Sequence, residues 1–235
     1  MKPLAWSHSA LQDYDKCPEM YHHKKVLKDL PQEVKSEEQK WGETVHKQFE
    51  WHGSRPGFEL PPDLRIHSPF LEALNAEGAD ADVDQAEMKV ALSTKFKPCK
   101  YFTDPKKGEP SVWWRGVIDR QIIKKAEARA KIVDYKTGKK KDDWVQLAQS
   151  AIWMFVNYPE VNLINAQFYW TVDQTMTRKV WARSEMDTLA GMYAPQLEAY
   201  VHSFKTDTWP MKQSGLCKGW CPVKSCQFWE ERKYR

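Results

Sequence analysis

The chain has 235 residues, 41% of them apolar, and 36 basic against 32 acidic residues give a formal net charge of +4; its mean hydropathy is -0.73. That length builds one domain, or one with an appendage, around a sizeable core. No apolar run approaches the roughly 18 residues that span a bilayer, and residues 1–16 lack the apolar stretch of a secretory signal, so a cytoplasmic location with no membrane partner is expected.

In chain order, Ser7 or Ser9 is placed to cap a short helix carrying Leu11 and Tyr14. Pro18 suits the first turn of a second helix with Cys17 as its cap. Helix N-termini present free N–H groups, which makes Ser9 a candidate phosphate contact. Ser36 with Gln39 spells a capping box for a helix over 37–52. Trp41, Val45 and Phe49 recur at helical spacing as one buried stripe, His46 lies beside it, and Gly53 is the expected stop. Residues 53–67, with two glycines and three prolines, read as a loop. A short helix over 70–76 then opens at Ser68-Pro69 and closes near Gly78, and an acidic turn follows.

Residues 85–96 alternate as a strand, with Met88, Val90 and Leu92 on one face and Glu87, Lys89 and Ala91 on the other. Residues 97–111 form a basic connection in which Cys99 stands without a motif. Two β-branched runs, 113–123 and 131–137, read as buried strands joined by a charged hairpin turn at 124–129. Alternation puts Asp134 and Lys136 on one face, roughly 6.6 Å apart along the strand. Asp119 sits among Val117, Ile118 and Ile122, again a charge inside an apolar run. Carboxylates on buried strands are unfavourable unless paired. A divalent metal is one partner that answers this, with the lysine left for an anionic substrate; an exposed ion pair on an edge strand is the plainer alternative.

Lys139, Lys140 and Lys141 follow that strand, where phosphates would need neutralising, and a solvated loop is the alternative. Asp142 or Asp143 starts a helix carrying Val145, Ala148, Ile152 and Phe155, with Gln146 on another of its faces. Residues 162–172 and 178–183 read as strands. Residues 189–204 read as a helix that Pro195 kinks or interrupts. Of five cysteines, Cys217, Cys221 and Cys226 crowd into the last twenty residues, which favours a metal or cluster over disulfides in a cytosolic chain. The twelve tryptophans and nine tyrosines are read mainly as packing residues, with some available to stack on bases.

Several of these motifs occur together and in order. Gly116-Val-Ile-Asp119-Arg followed by Ile132-Val-Asp134-Tyr-Lys136-Thr-Gly resembles the PD-(D/E)XK nuclease superfamily, in particular its RecB/AddB-like branch, which includes CRISPR-associated iron–sulfur nucleases and phage exonucleases. Gly42-x-x-x-His46, Glu87 on the preceding strand, Gln146, and the opening Ser7-x-Ser9-x-Leu11, Tyr14, Cys17-Pro18, Tyr21 are similar to further motifs of that branch. Two departures stand out: Ser150 occupies the usual tyrosine position of Gln-x-x-x-Tyr, and the tail spaces its thiols C-x3-C-x4-C rather than C-x2-C-x5-C.

The resemblance implies an α/β, restriction-endonuclease-like fold, a central mixed sheet flanked by helices. It implies one nuclease domain over 1–235, whose N- and C-terminal segments, 7–27 and 215–230, are joined by a cysteine cluster. The implied metal ligands are His46, Asp119, Asp134 and the Tyr135 carbonyl, for Mg²⁺ or Mn²⁺. Glu87 would be a ligand or water-orienting base, Lys136 would orient the nucleophile or stabilise charge, and Gln146 would position Lys136 or the DNA. Cys17, Cys217, Cys221 and Cys226 would hold a [4Fe–4S] cluster, with structural Zn²⁺ or free thiols as the alternatives. The expected activity is a metal-dependent DNA exonuclease in end processing or recombination, with DNA and a recombination or CRISPR-adaptation protein as partners. The alternatives are a CRISPR adaptation nuclease and a non-catalytic, zinc-containing nucleic-acid-binding module.

Overall fold

The structure is a computed structural model that describes residues 1–31, 34–141 and 143–231. The chain divides into two compact units, one made of Met1–Val34 with Tyr193–Arg235 and the other of Lys35–Met192. The segments 7–27 and 215–230 both fall in the first.

The larger unit is a five-stranded mixed sheet in the order β1-β2-β3-β4-β5: β1 Val83–Ser93, β2 Val112–Lys124, β3 Arg129–Lys136, β4 Leu163–Trp170 and β5 Thr175–Ala182. The first three strands pair antiparallel, as tight connections permit, and β4 pairs antiparallel with β5. Strands β3 and β4 run parallel, which requires a crossover, and a helix over Val145–Asn157 supplies it. Its residues from Leu147 to Phe155 are all buried, so it is covered on every side. An 18-residue helix, Glu37–Ser54, and a second, Ser68–Gly78, form another layer. Val45 and Phe49 of the first and Leu71 and Leu74 of the second pack with Ile122, Val133 and Tyr135 of the sheet.

Ser36 caps the long helix in the expected box: its hydroxyl accepts from Gln39 N, and Gln39 Oε1 accepts from Ser36 N at 2.9 Å. Such a cap contributes about 1 kcal/mol. Gly53 does not stop this helix, which runs on to Ser54. The glycine serves packing instead, since a Cβ there would lie 1.8 Å from Arg120 Nη1. Trp41 also departs from expectation: Val45 and Phe49 are buried, but Trp41 is 43% exposed at the end of the stripe.

Strand β1 starts two residues before the expected point and ends at Ser93; its last four residues are buried on both faces, so the alternation fails there. Strand β5 begins at Thr175 because Gln174, at φ 53°, closes a tighter turn than the sequence suggested. Asp143 Oδ1 accepts from Val145 N at the start of the crossover helix, and the alternative cap Asp142 lies outside the described residues. Pro195 does not kink a helix but opens one: Met186–Gly191 ends, and Ala194–Thr206 begins with Pro195 in its first turn.

In the smaller unit, helix His8–Lys16 is capped by the Ser7 side chain, and Pro18–Tyr21 begins with Cys17 as N-cap. The Tyr14 hydroxyl donates to Ala199 O at 2.8 Å, and the Tyr21 and Tyr200 hydroxyls meet at 3.0 Å. These bonds, with Trp209 stacked near Tyr21, tie the first thirty residues to the Ala194–Thr206 helix. Among the described residues, no helix is long and apolar enough to cross a membrane.

Candidate active site

The site begins where two strands part. The β2–β3 ladder runs from Lys124 and Arg129 up to Arg120 and Val133 and stops there, while β3 stays paired with β4 as far as Lys136. Asp119 and Asp134 are the next residues along the two parting strands, and both are buried. The Tyr135 backbone N–H, released from the ladder, donates to Asp119 Oδ2 at 2.7 Å. On the other side of β2, Ala86 pairs with Arg120 and Met88 with Ile118, which sets Glu87 opposite Asp119. Glu87 has φ 50°, a left-handed conformation that a glutamate adopts at a cost and that recurs at functional sites.

The long helix supplies the imidazole. His46 Nδ1 lies 3.3 Å from Asp119 Oδ1 and 3.6 Å from Glu87 Oε1. One turn earlier Gly42 lets the helix approach the end of β3, because a Cβ there would sit 3.1 Å from Thr137 Oγ1. His46, Glu87 and Asp119 each offer one atom within 4.8 Å of the others. Among the described residues this is the one such group of histidine, cysteine and carboxylate ligands.

Asp134 belongs to an adjoining triangle. Lys136 Nζ donates to Gln146 Oε1 at 2.6 Å, and Gln146 Nε2 donates to Asp134 Oδ1 at 2.5 Å. Lys136 Nζ also stands 2.6 Å from the buried Asp134 Oδ2, so the ammonium is shared between the carboxylate and the amide. Gln146 thus holds the carboxylate and the ammonium together from the first turn of the crossover helix. Ser150 Oγ, at the family's tyrosine position, bonds back to Gln146 O at 3.3 Å and stays within its own helix.

The electrostatics show a site short of positive charge. Burial opposes the charge on His46, but its bonds to Asp119 and Glu87, with the Asp134 charge behind them, outweigh burial and raise it to about 10. The imidazole is therefore an imidazolium at neutral pH. Burial and the neighbouring Asp119 carboxylate push Asp134 up to about 6, against the pull of Lys136 and His46. Burial also raises the Tyr135 phenol. Its ring packs against His46 and Phe49, so the side chain is structural.

Other predicted residues lie elsewhere. Ser9 is in the smaller unit, its hydroxyl 3.0 Å from Ser7 Oγ. Lys139, Lys140 and Lys141 are exposed on the connection after β3. Cys17, Cys217, Cys221 and Cys226 line one recess of the smaller unit with Met20 and Val223. Burial and the three neighbouring thiols raise the Cys221 thiol. Cys217 Sγ accepts from Ser214 N at 3.4 Å, and Cys226 Sγ lies 3.7 Å from Met211 Sδ. The sulfurs share the recess, but no three of them close to within 4.8 Å of one another.

Sequence reasoning missed the support beneath the site. Arg120, fully buried beside Asp119, holds Asp84 through Nε and Nη2 at 2.5 Å each and Asn75 Oδ1 through Nη2 at 3.0 Å. This joins β1, which carries Glu87, to β2, which carries Asp119. The available signal was an arginine inside an apolar strand.

The family model for the PD-(D/E)XK nuclease superfamily matches residues 5–226. The chain belongs to that superfamily. No curated protein matches its sequence. Among solved structures it is similar to a protein from Eubacterium rectale described as a putative exonuclease, at 11% identity, with a TM-score of 0.47, over 95% of this chain and 86% of that one. PD-(D/E)XK nucleases use divalent metals, and the residues at the fork fit one. Imidazole nitrogen and carboxylate oxygens are its ligand types, and His46, Glu87 and Asp119 already bring one such atom each within 4.8 Å of the others.

Proposed function

We propose that this nuclease is a metal-dependent DNA exonuclease of the RecB/AddB-like branch, acting in DNA end processing or recombination. The observation that carries the reading is the fork itself, where Asp119 and Asp134 meet with Lys136 against one of them and His46 and Glu87 against the other. The branch assignment rests on the order of motifs from Ser7 to Cys226.

Asp119, Asp134, His46 and Glu87 would hold one or two Mg²⁺ or Mn²⁺ ions. The Tyr135 N–H points to the β2 side and, in an extended strand, the carbonyl of the same residue shares that direction, so it is a further donor to the same space. The ion supplies water activation at neutral pH and stabilises charge on the scissile phosphate. The chain's own residues do the rest. Lys136 stands next to a ligand carboxylate, where its ammonium would orient the attacking water or stabilise negative charge on a phosphate oxygen. Gln146 fixes the direction of that ammonium. Glu87 orients a water or accepts its proton, and its strained backbone aims it there. Ser9 and Lys139, Lys140 and Lys141 are proposed phosphate contacts on the DNA strand.

The cysteine recess is proposed to hold a [4Fe–4S] cluster. Thiolates around one tetrahedral zinc lie about 3.8 Å apart, from a Zn–S distance of about 2.3 Å. Four thiolates suit either centre by ligand type, and the resemblance to the iron–sulfur members of the branch favours the cluster. Iron analysis and a visible absorption band in anaerobically purified protein test this; stoichiometric zinc without the band contradicts it.

The nuclease reading is tested by digestion of end-labelled single- and double-stranded DNA with Mg²⁺, Mn²⁺ or EDTA. Nucleotides released progressively from an end, with activity lost in EDTA and in Asp134→Ala, support it. Metal-independent binding without cleavage, unchanged in Asp134→Ala, would leave a non-catalytic module.

A further inference from the structure

The connection between β1 and β2 carries charge that the site does not use. With the first four residues of β2, residues 94–115 hold six basic and two acidic side chains, a surplus equal to the net +4 of the whole chain. The two acids are engaged: Glu109 pairs with Lys100 at 2.8 Å and Asp104 stands 4.0 Å from Lys107. Lys95, Lys97 and Lys106 are exposed and have no acidic partner among the described residues.

Aromatic rings stand among these cations. Phe102 is 69% exposed and Phe96 44%. The Arg115 guanidinium lies 5.2 Å from the Phe102 ring centre and 5.6 Å from that of Tyr101, and the two rings meet edge to face at 4.9 Å. Arg115 therefore fixes Phe102 from one side while most of the ring stays open to solvent. Arg115 Nε is buried without a hydrogen-bond partner, and the guanidinium stands over the two rings. The turn is built, not loose: Ser93 N bonds to Lys97 O, Thr94 N to Ser111 O and Cys99 N to Ala91 O.

We propose that Phe102, propped by Arg115 and Tyr101, is a stacking platform for an unpaired base of the substrate strand, with Lys95, Lys97 and Lys106 against its phosphates. Lysines alone would suit any acidic partner. An open ring among them selects a strand whose base faces are available, which in a duplex they are not. The distance also fits. Arg115 is four residues from Asp119 on β2, about 13 Å by strand rise, a span a few nucleotides of an unpaired strand cover. The platform would hold the strand a few nucleotides from the scissile bond. The inference rests on the nuclease reading for its substrate, but its test does not depend on cleavage.

The probes are fluorescein-labelled dT12 and dT3 and a 12-base-pair duplex, titrated by anisotropy in EDTA. Phe102→Ala should weaken dT12 binding about tenfold, as the loss of one stacked base does. It should leave dT3 and the duplex within about twofold, and Phe102→Trp should restore dT12. Replacing Lys95, Lys97 and Lys106 by Gln should make the slope of log K against log salt shallower by about 2. Unchanged dT12 binding in Phe102→Ala, or equal losses on dT3 or the duplex, overturns the proposal. Failure of the wild type to bind dT12 does so as well. If the wild type binds dT12 in this way but cuts no DNA with Mg²⁺ or Mn²⁺, the nuclease reading fails and the platform stands.

Discussion

The fork in the larger unit and the thiol recess in the smaller one each gather metal-type ligands from distant parts of the chain, yet they are held in different ways. At the fork every predicted side chain already has a partner. An imidazolium stands between Asp119 and Glu87, and an ammonium beside Asp134, so protein cations occupy the place of an inorganic one. In the recess the thiols meet a backbone N–H and a methionine sulfur, and Lys212 in its lining is engaged by Asp15. The first arrangement is organised before any ion arrives. The second brings the right atoms to one place and leaves their final closure to whatever binds them. Catalytic geometry built on rigid strands and helices can be set by the fold, whereas a staple between chain ends can be set by its metal.

The largest effects should separate the two regions cleanly. Asp119→Ala, Asp134→Ala and Lys136→Ala are each expected to lower kcat roughly 10³-fold or more with little change in melting temperature. Cys221→Ser should do the opposite: thermal scans should show a melting point lowered by roughly 10 °C, with kcat of the folded fraction within about twofold. A cysteine variant that folds normally but does not cut would break the distinction.

A stability difference comes next. Arg120→Ala leaves Asp84 without its cation in a mostly buried place, and urea unfolding should show a loss of about 3 kcal/mol. Tyr200→Phe in the smaller unit removes one hydroxyl contact with Tyr21 and should cost about 1 kcal/mol.

The pH dependence follows from His46. Its folded pKa is raised to about 10, above an ordinary value of 6.5. In metal-free protein its stabilising contribution is full below pH 6.5 and is lost as pH rises through 10. Metal binding must expel that proton, so Mn²⁺ affinity should rise with pH across this window. Calorimetry at pH 7.5 in buffers of different ionisation enthalpy should show about one proton released per chain, and none from this source in His46→Gln. The smallest effect is expected for Gly42→Ala, where the new methyl meets Thr137 Oγ1: a loss of a few-fold in kcat/KM, relieved by Thr137→Gly.

The sheet and its motif-bearing strands were legible because charges inside apolar runs are expensive; it was the order of the motifs that set Asp119, Asp134 and Lys136 above an exposed ion pair. The capping box at Ser36 and the interruption at Pro195 were local signals and were found within a few residues. What the sequence concealed was non-local. Gly53 looked like a helix stop because nothing nearby reveals that Arg120 passes beneath it. Trp41 fits the buried stripe by spacing, but the layer it would pack into ends before it. The left-handed backbone of Glu87 and the Arg120–Asp84–Asn75 lock depend on which strands are neighbours. Gln146 was expected from the resemblance to position Lys136; its second bond, to Asp134, needs β3 and the crossover helix placed together.

The most direct measurement is a crystal of the protein soaked in Mn²⁺, with the ion located by its anomalous scattering. The account predicts a peak at the fork within ligand distance of the Asp119 and Asp134 carboxylates, with His46 Nδ1 turned from the carboxylates to the ion. A fork that stays closed by His46 and Lys136 at millimolar Mn²⁺, with no peak between the two aspartates, would contradict it.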